Sequence, residues 1–345
     1  EAVRRVTVRV MGAEVTQFIN TVRVPESVYR EANQQTLGTI ILIIFKIAGI
    51  VGALALVIAG AIMVTRHGGV AWRKAAKMTA LLAVIPILGA AIRADQTLFA
   101  YNTTLAWETF LLNVITDGVR SAGGQILLLF LALLGILSIH PNAVRMLGRE
   151  GRARLGTAAA IAAATAVALF AIYAETMRRI ELLFPARMQI GEIGVPSSVG
   201  LPLPSLIEAG DALFGAIILT GAVALFAKAI APWKRRWLAH AVTAALIFGV
   251  SVDIGAGPRE VWLMLASTAV MTAVVWVIAR LVLGSNLLAW PAAVLVGSLM
   301  QSAGALLHNH RQDLLIHGMI LLALGAAVIV WLATSPRSES HIQTE

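Results

Sequence analysis

None of the 345 residues is a cysteine, which excludes disulfides and thiolate metal ligands. Cysteine usage therefore gives no redox compartment. Charge is also scarce, at 13% of residues, roughly half the ~25% of a soluble domain. That deficit excludes an ordinary globular enzyme of this length. Acidic groups are the rarer sign: 18 Asp and Glu face 27 Lys and Arg, a net charge of +9. Nucleic-acid binding would need a basic face with aromatic or strand platforms, and none is visible. There is no Walker A sequence and no G-x-G-x-x-G at a strand–helix junction, so nothing points to a nucleotide cofactor. The chain starts at Glu1 without an initiator Met or a signal-peptide pattern, and reads as a fragment or processed form.

Apolar residues are what it has, at 59%. They fall into nine stretches: Thr39–Val64, Ala75–Ala94, Phe110–Ile139, Gly156–Tyr173, Ser205–Ile230, Trp237–Val252, Glu260–Leu283, Asn286–Leu307 and Leu314–Thr334. About 20 residues are needed to cross a bilayer, so most qualify. Gly156–Tyr173 and Trp237–Val252 are short. Phe110–Ile139 is too long for one upright crossing and reads as a tilted helix or as an interfacial segment followed by a span. The expected fold is an all-α polytopic membrane protein of about nine transmembrane helices over residues 37–335. Residues 336–345 form a tail.

Basic residues occupy alternate gaps. Arg66, Arg73, Lys74 and Lys77 fall in the first, Arg145, Arg149, Arg152 and Arg154 in the third, and Lys228, Lys234, Arg235 and Arg236 in the fifth. The seventh has Arg280. Even gaps carry mixed charge: Arg93, Asp95 and Glu108, then Asp253, Arg259 and Glu260. The positive-inside rule then predicts a multi-pass protein of a bacterial inner membrane, with the N-terminus outside and the C-terminus cytoplasmic. The fourth gap holds Pro185, Pro196, Pro202 and Pro204, which predicts an irregular outer loop. Gly156–Ala168 is nearly all Ala, Gly and Thr, as suits a closely packed helix.

Residues 1–36 differ from the rest. Val6, Val8 and Val10 alternate with Arg5, Thr7 and Arg9, and Val15–Val24 returns after a turn at Met11–Glu14. This predicts a β-hairpin, the end of an extracytoplasmic soluble domain or a hairpin resting on the membrane domain. Pro25, Glu26 and Ser27 would start a short helix leading into the bilayer.

Four short runs carry a resemblance. They are Val15–Phe18 followed by Val24–Ser27; Phe99, Tyr101, Thr103, Thr104, Trp107 and Phe110, close to F-x-Y-D-T-T-x-S-W-x-x-F; Trp233–Gly249; and Gly284–Pro291 with Asn286, Ala289 and Trp290. In this order they resemble a large bacterial subgroup of the CPBP (CAAX-protease and bacteriocin-processing) intramembrane family, with the CPBP-like core at roughly 205–307. The resemblance implies a metal-dependent intramembrane peptidase. Its pattern has two adjacent glutamates with an arginine four residues later, then F-x-x-x-H, then H-x-x-x-N. This chain departs from it throughout. Lys228 lies where the glutamate pair should fall. Phe248 is followed four residues on by Val252, and the expected His and Asn positions hold Leu295 and Leu299. Aliphatic side chains neither ligate a metal nor move a proton. A catalytically inactive relative without a cofactor is expected, acting as a membrane scaffold or a peptide- or lipid-binding protein. Its partners would be membrane lipids and a membrane-protein or peptide segment, with no nucleic acid.

Ionisable residues within the spans are the remaining candidates. Lys46 calls for a carboxylate partner or a wet cleft. Asp117 and Arg120, three apart, predict a local ion pair, and Glu175, three and four residues before Arg178 and Arg179, reads as a solvated helix end. Glu208 and Asp211 share a face near a helix start, as a cation or acid/base pair or as first-turn acids favouring the helix dipole. His308, His310, Asp313 and His317 form the densest ligand-type cluster, either a zinc site or a His-rich polar loop. His240 reads as a hydrogen-bonded core residue. An active metalloprotease using displaced ligands such as Glu208, Asp211, His240 or Asp253 is the first alternative. A transporter or channel component, with Lys46, Asp117, Arg120 and Asp253 along a polar path, is the second.

Overall fold

Long apolar runs without water as a partner must satisfy their backbone groups internally, which leaves helices or closed barrels. The structure, a computed structural model, shows helices. It describes residues 3–11, 14–23, 37–66, 72–99, 101, 106–146, 148–182, 201, 203–252, 261–284, 286–308 and 311–334. Eight helices among these residues are long and apolar enough to cross a membrane. The chain is an all-α multi-pass membrane protein preceded by a small hairpin.

The chain divides into two compact units. The first comprises residues 1–51 and 244–273. Its strands β1 (Val3–Met11) and β2 (Glu14–Arg23) pair antiparallel, Val6 opposite Asn20 and Met11 opposite Glu14, with an irregularity at Arg9/Val10. The predicted hairpin is thus present, while its turn residues Gly12 and Ala13 and the predicted helix after Pro25 lie outside the described residues. Within this unit, helices α1 (Leu37–Arg66) and α8 (Arg236–Ser251) approach closely at Gly49 and Gly249. Phe45 and Phe248 meet edge to face there, with centroids 6.1 Å apart.

The second unit comprises residues 52–243 and 274–345. It contains α2 (Trp72–Leu82), α3 (Val84–Phe99), α4 (Trp107–Ile139), the single turn α5 (Ala143–Met146), α6 (Arg149–Leu182), α7 (Pro204–Ile230), α10 (Ala289–Leu307) and α11 (Gln312–Ala333). The seventh apolar stretch forms α9 (Val261–Val277), which runs on as a π turn, Ile278–Leu283.

One feature departs from the sequence reading, and two bear on stretches whose length it marks. The second span is broken into α2 and α3 at Ala83. Pro86 explains this: it has no N–H for the Leu82 carbonyl, and its ring crowds that carbonyl. The chain bridges the break with Ala83 N–H to Thr79 O and Ile87 N–H to Ala83 O. The long third stretch is one continuous helix of 33 residues, about 50 Å at 1.5 Å per residue. Phe110 aside, its buried residues begin only at Leu129. The sixth stretch gives a 16-residue helix, α8, about 24 Å long against a ~30 Å hydrocarbon core.

The resembling runs acquire local explanations. Tyr101, Trp107 and Phe110 cluster at the start of α4, with ring centroids 4.8–5.7 Å apart. At Gly284 the backbone takes φ +50°, which glycine tolerates without a Cβ clash. Asn286 Oδ1 then accepts the Leu288 N–H at 3.0 Å, and Trp290 Nε1–H donates back to Gly284 O at 3.1 Å. That run is the joint between the π turn and α10.

Small residues set the packing. On α6, Ala159 and Ala163 are fully buried and cluster with Ala289 and Ala292 of α10, as the Ala-rich composition predicts. A second cluster joins Leu129, Leu133 and Leu137 of α4 to Leu225 of α7, and a third joins Leu299 and Leu306 of α10 to Leu314 and Leu321 of α11.

Candidate functional site

Pro204 opens α7, because its missing N–H costs nothing in the first turn and its φ is already helical. Ser205, Glu208 and Asp211 follow at steps of three. Each step falls about 60° short of a full turn, so the three side chains fan out rather than stack. Ser205 Oγ shares a 2.8 Å hydrogen bond with His317 Nδ1 on α11. Ser302 Oγ on α10 donates to Glu208 Oε2 at 2.6 Å. Arg93 on α3 forms an ion pair with Asp211. One end of α7 is thereby tied to three other helices.

Glu208 and Asp211, read from the sequence either as a pair or as acids favouring the helix dipole, each have a partner on another helix. Their different bearings commit one carboxylate to a hydroxyl and the other to a guanidinium. The described members of the histidine cluster also have separate partners. His308 Nδ1 lies 3.2 Å from Gly304 O on its own helix, Asp313 is held by Arg311 at 2.6 Å, and His317 turns to Ser205. His310 and Asp253 lie outside the described residues. Among the described residues, no three His, Asp or Glu side chains come together as a ligand set. His240 is exposed, its ring edge-on to Trp276 with centroids 6.4 Å apart, and so is not the core residue expected. Its place on an apolar helix gave no indication of which face it occupies.

Glu175 pairs with both Arg178 and Arg179 at 2.8 Å, and both arginines are exposed, in keeping with a solvated helix end. Asp117 and Arg120 are both exposed, and among the described residues no ion pair joins them. Lys46 is half-buried in the first unit. Interhelical hydrogen bonds in bilayers are worth about 0.6 kcal/mol on average. Ser205→Ala is accordingly expected to lower stability by about that amount, read as a small loss in a thermal melt in detergent. A loss several times larger would mean that Ser205 carries more than this one bond.

Of the positions where the resemblance implies a metal site, Val252 and Leu299 are buried at 1% and 2% exposure. Lys228 is half-buried in the last turn of α7, where a cation favours the helix dipole. Leu295 lines a cavity of about 440 Å³ between α2, α4, α7, α10 and α11. These residues do not fit a metal ion, because none offers an imidazole or carboxylate.

The cavity was not foreseen. Met78, Leu82, Ile136, Ile217, Pro291 and Val328 are among its walls, and Thr220 is its one hydroxyl residue. That hydroxyl is spent on Ala216 O at 2.7 Å. Leu81 lines the cavity and is 74% exposed, so the cavity reaches the lateral surface of α2. On α7 its walls run from Leu213 to Thr220, and on α11 from Val328 to Leu332. No protein-family model, curated protein or solved structure matches this chain.

Proposed function

We propose that the chain is a non-catalytic, CPBP-like membrane protein that holds a lipid acyl chain in the cavity of its second unit and acts as a lipid-dependent scaffold in a bacterial inner membrane. The observation that carries this reading is the cavity itself. Its walls are almost wholly aliphatic, and Leu295, one of the positions where the resemblance implies a metal ligand, is among them. An empty apolar cavity forfeits dispersion contacts. In a bilayer the apolar molecule at hand to restore them is the tail of a lipid. Nothing on these walls polarises a carbonyl or accepts a proton.

A second reading, an active enzyme built from displaced residues, draws on Glu208, Asp211 and His317 lying at one end of α7. Each of these groups is already engaged with a neighbouring helix, which favours a structural tie.

Purified protein in mild detergent is expected to carry bound phospholipid by native mass spectrometry. It is expected to cleave no membrane-peptide substrate, with or without a chelator. Chelator-sensitive cleavage that disappears in Glu208→Ala or His317→Ala would establish the second reading instead.

A further inference from the structure

We propose that the cavity selects an anionic phospholipid, whose phosphodiester is held at the cavity rim by Arg152. This rests on the acyl-chain reading above and adds the headgroup. An acyl chain entering the cavity exchanges one hydrocarbon environment for another, so the walls cannot discriminate among lipids with the same tails. Discrimination falls to polar groups at the rim, and those groups are cationic.

Trp331 on α11 is a wall residue. The Arg152 guanidinium carbon sits 4.4 Å over the Trp331 ring, a cation–π distance. Its Nη1–H donates to Trp331 O at 3.4 Å, whereas its buried Nε has no hydrogen-bond partner. An arginine fixed by stacking and by one N–H holds its guanidinium charge beside the wall residue Trp331, where a phosphate oxygen would meet it. Other cations flank the same walls. Lys74 and Lys77 are exposed on α2, one turn before the wall residues Met78 and Leu81 and on their face. Their side chains also lean toward the N-terminal, basic end. Arg145 is exposed two residues after the wall residue Ala143. Each cation near a membrane surface favours an anionic headgroup by about fivefold.

The test is competition. Protein in detergent is equilibrated with equal amounts of phosphatidylglycerol and phosphatidylcholine bearing the same tails, and bound lipid is counted by native mass spectrometry. Phosphatidylglycerol is expected to be enriched at least about fivefold. Arg152→Gln should lower the enrichment about fivefold with total bound lipid unchanged, and Arg152→Lys should lower it less. Lys74→Gln with Lys77→Gln, both exposed, should lower the enrichment without touching the cavity. Ala216→Phe, which fills the cavity, should remove both lipids. Equal binding by the unaltered protein, or enrichment undiminished in Arg152→Gln, overturns the headgroup proposal and leaves the acyl-chain reading intact. Failure to bind either lipid, or binding that survives Ala216→Phe, overturns the acyl-chain reading and this proposal with it.

Discussion

Gly221→Ala is expected to destabilise the protein by about 3 kcal/mol, and Gly221→Leu to leave no monodisperse folded species. Gly221 faces α4 at the closest approach of α7. A Cβ there would lie 2.5 Å from Ala132 O and closer still to the Ala132 Cα and Cβ. The obstruction is backbone, which cannot rotate aside as a side chain does. Gly135, opposite, is equally confined, with Leu225 Cγ 2.7 Å and Gly221 O 2.8 Å from where its Cβ would be. Overpacking typically costs about 1–3 kcal/mol, and a backbone obstruction belongs at the upper end. The ~1 kcal/mol gained from replacing a helical glycine with alanine does not offset it. Gly215, on the same helix, is the control: nothing lies within 4 Å of its added Cβ, so Gly215→Ala should be neutral or stabilising by up to about 1 kcal/mol. Thermal unfolding in detergent reads both. Equal midpoints for the two variants would refute the packing argument.

This interface shows how much of the fold the sequence carried. Composition and hydropathy follow from the solvent, so all nine apolar stretches became helical, the second split at Ala83 and the fourth extended to Arg149–Leu182. Alternation of Val6, Val8 and Val10 was enough for the hairpin, because strand period is local. The break at Ala83 was legible too, since Pro86 stands in the sequence, but a run of apolar residues concealed it. What could not be read was orientation about each helix axis. Hydropathy does not distinguish a side chain facing lipid from one facing another helix, so nothing indicated that Gly221 meets Ala132 or that His240 faces outward. The site suffered likewise. Glu208 and Asp211 were visible as carboxylates three apart, but their partners Ser302 and Arg93 lie 94 and 118 residues away in sequence. An unpaired carboxylate in a span does imply a partner; it does not say which one. The cavity had no sequence signal at all, because its walls are the same leucines and isoleucines that face lipid elsewhere.

The Arg93–Asp211 pair gives the second large effect. Both side chains are partly exposed, at 33% and 53%. In water such a pair is worth about 0–1 kcal/mol. In a bilayer the reference changes, because an orphaned charge inside a helix costs about 2.5–3.5 kcal/mol at mid-depth and less toward the ends. Asp211 sits in the second turn of α7, so Arg93→Leu is expected to cost about 2 kcal/mol, most of it the unpaired carboxylate rather than the lost bond. The double variant Arg93→Leu with Asp211→Asn removes that carboxylate's charge as well. It should recover more than half of the loss, which makes the two substitutions non-additive. Asp211→Asn alone should cost less than Arg93→Leu, because a long arginine side chain can carry its charge to the interface whereas Asp211 is too short to do so. Thermal midpoints of the three variants in detergent or lipid nanodiscs decide the matter. A double variant no more stable than Arg93→Leu would show that Arg93 contributes through packing and that its charge pairing with Asp211 is incidental.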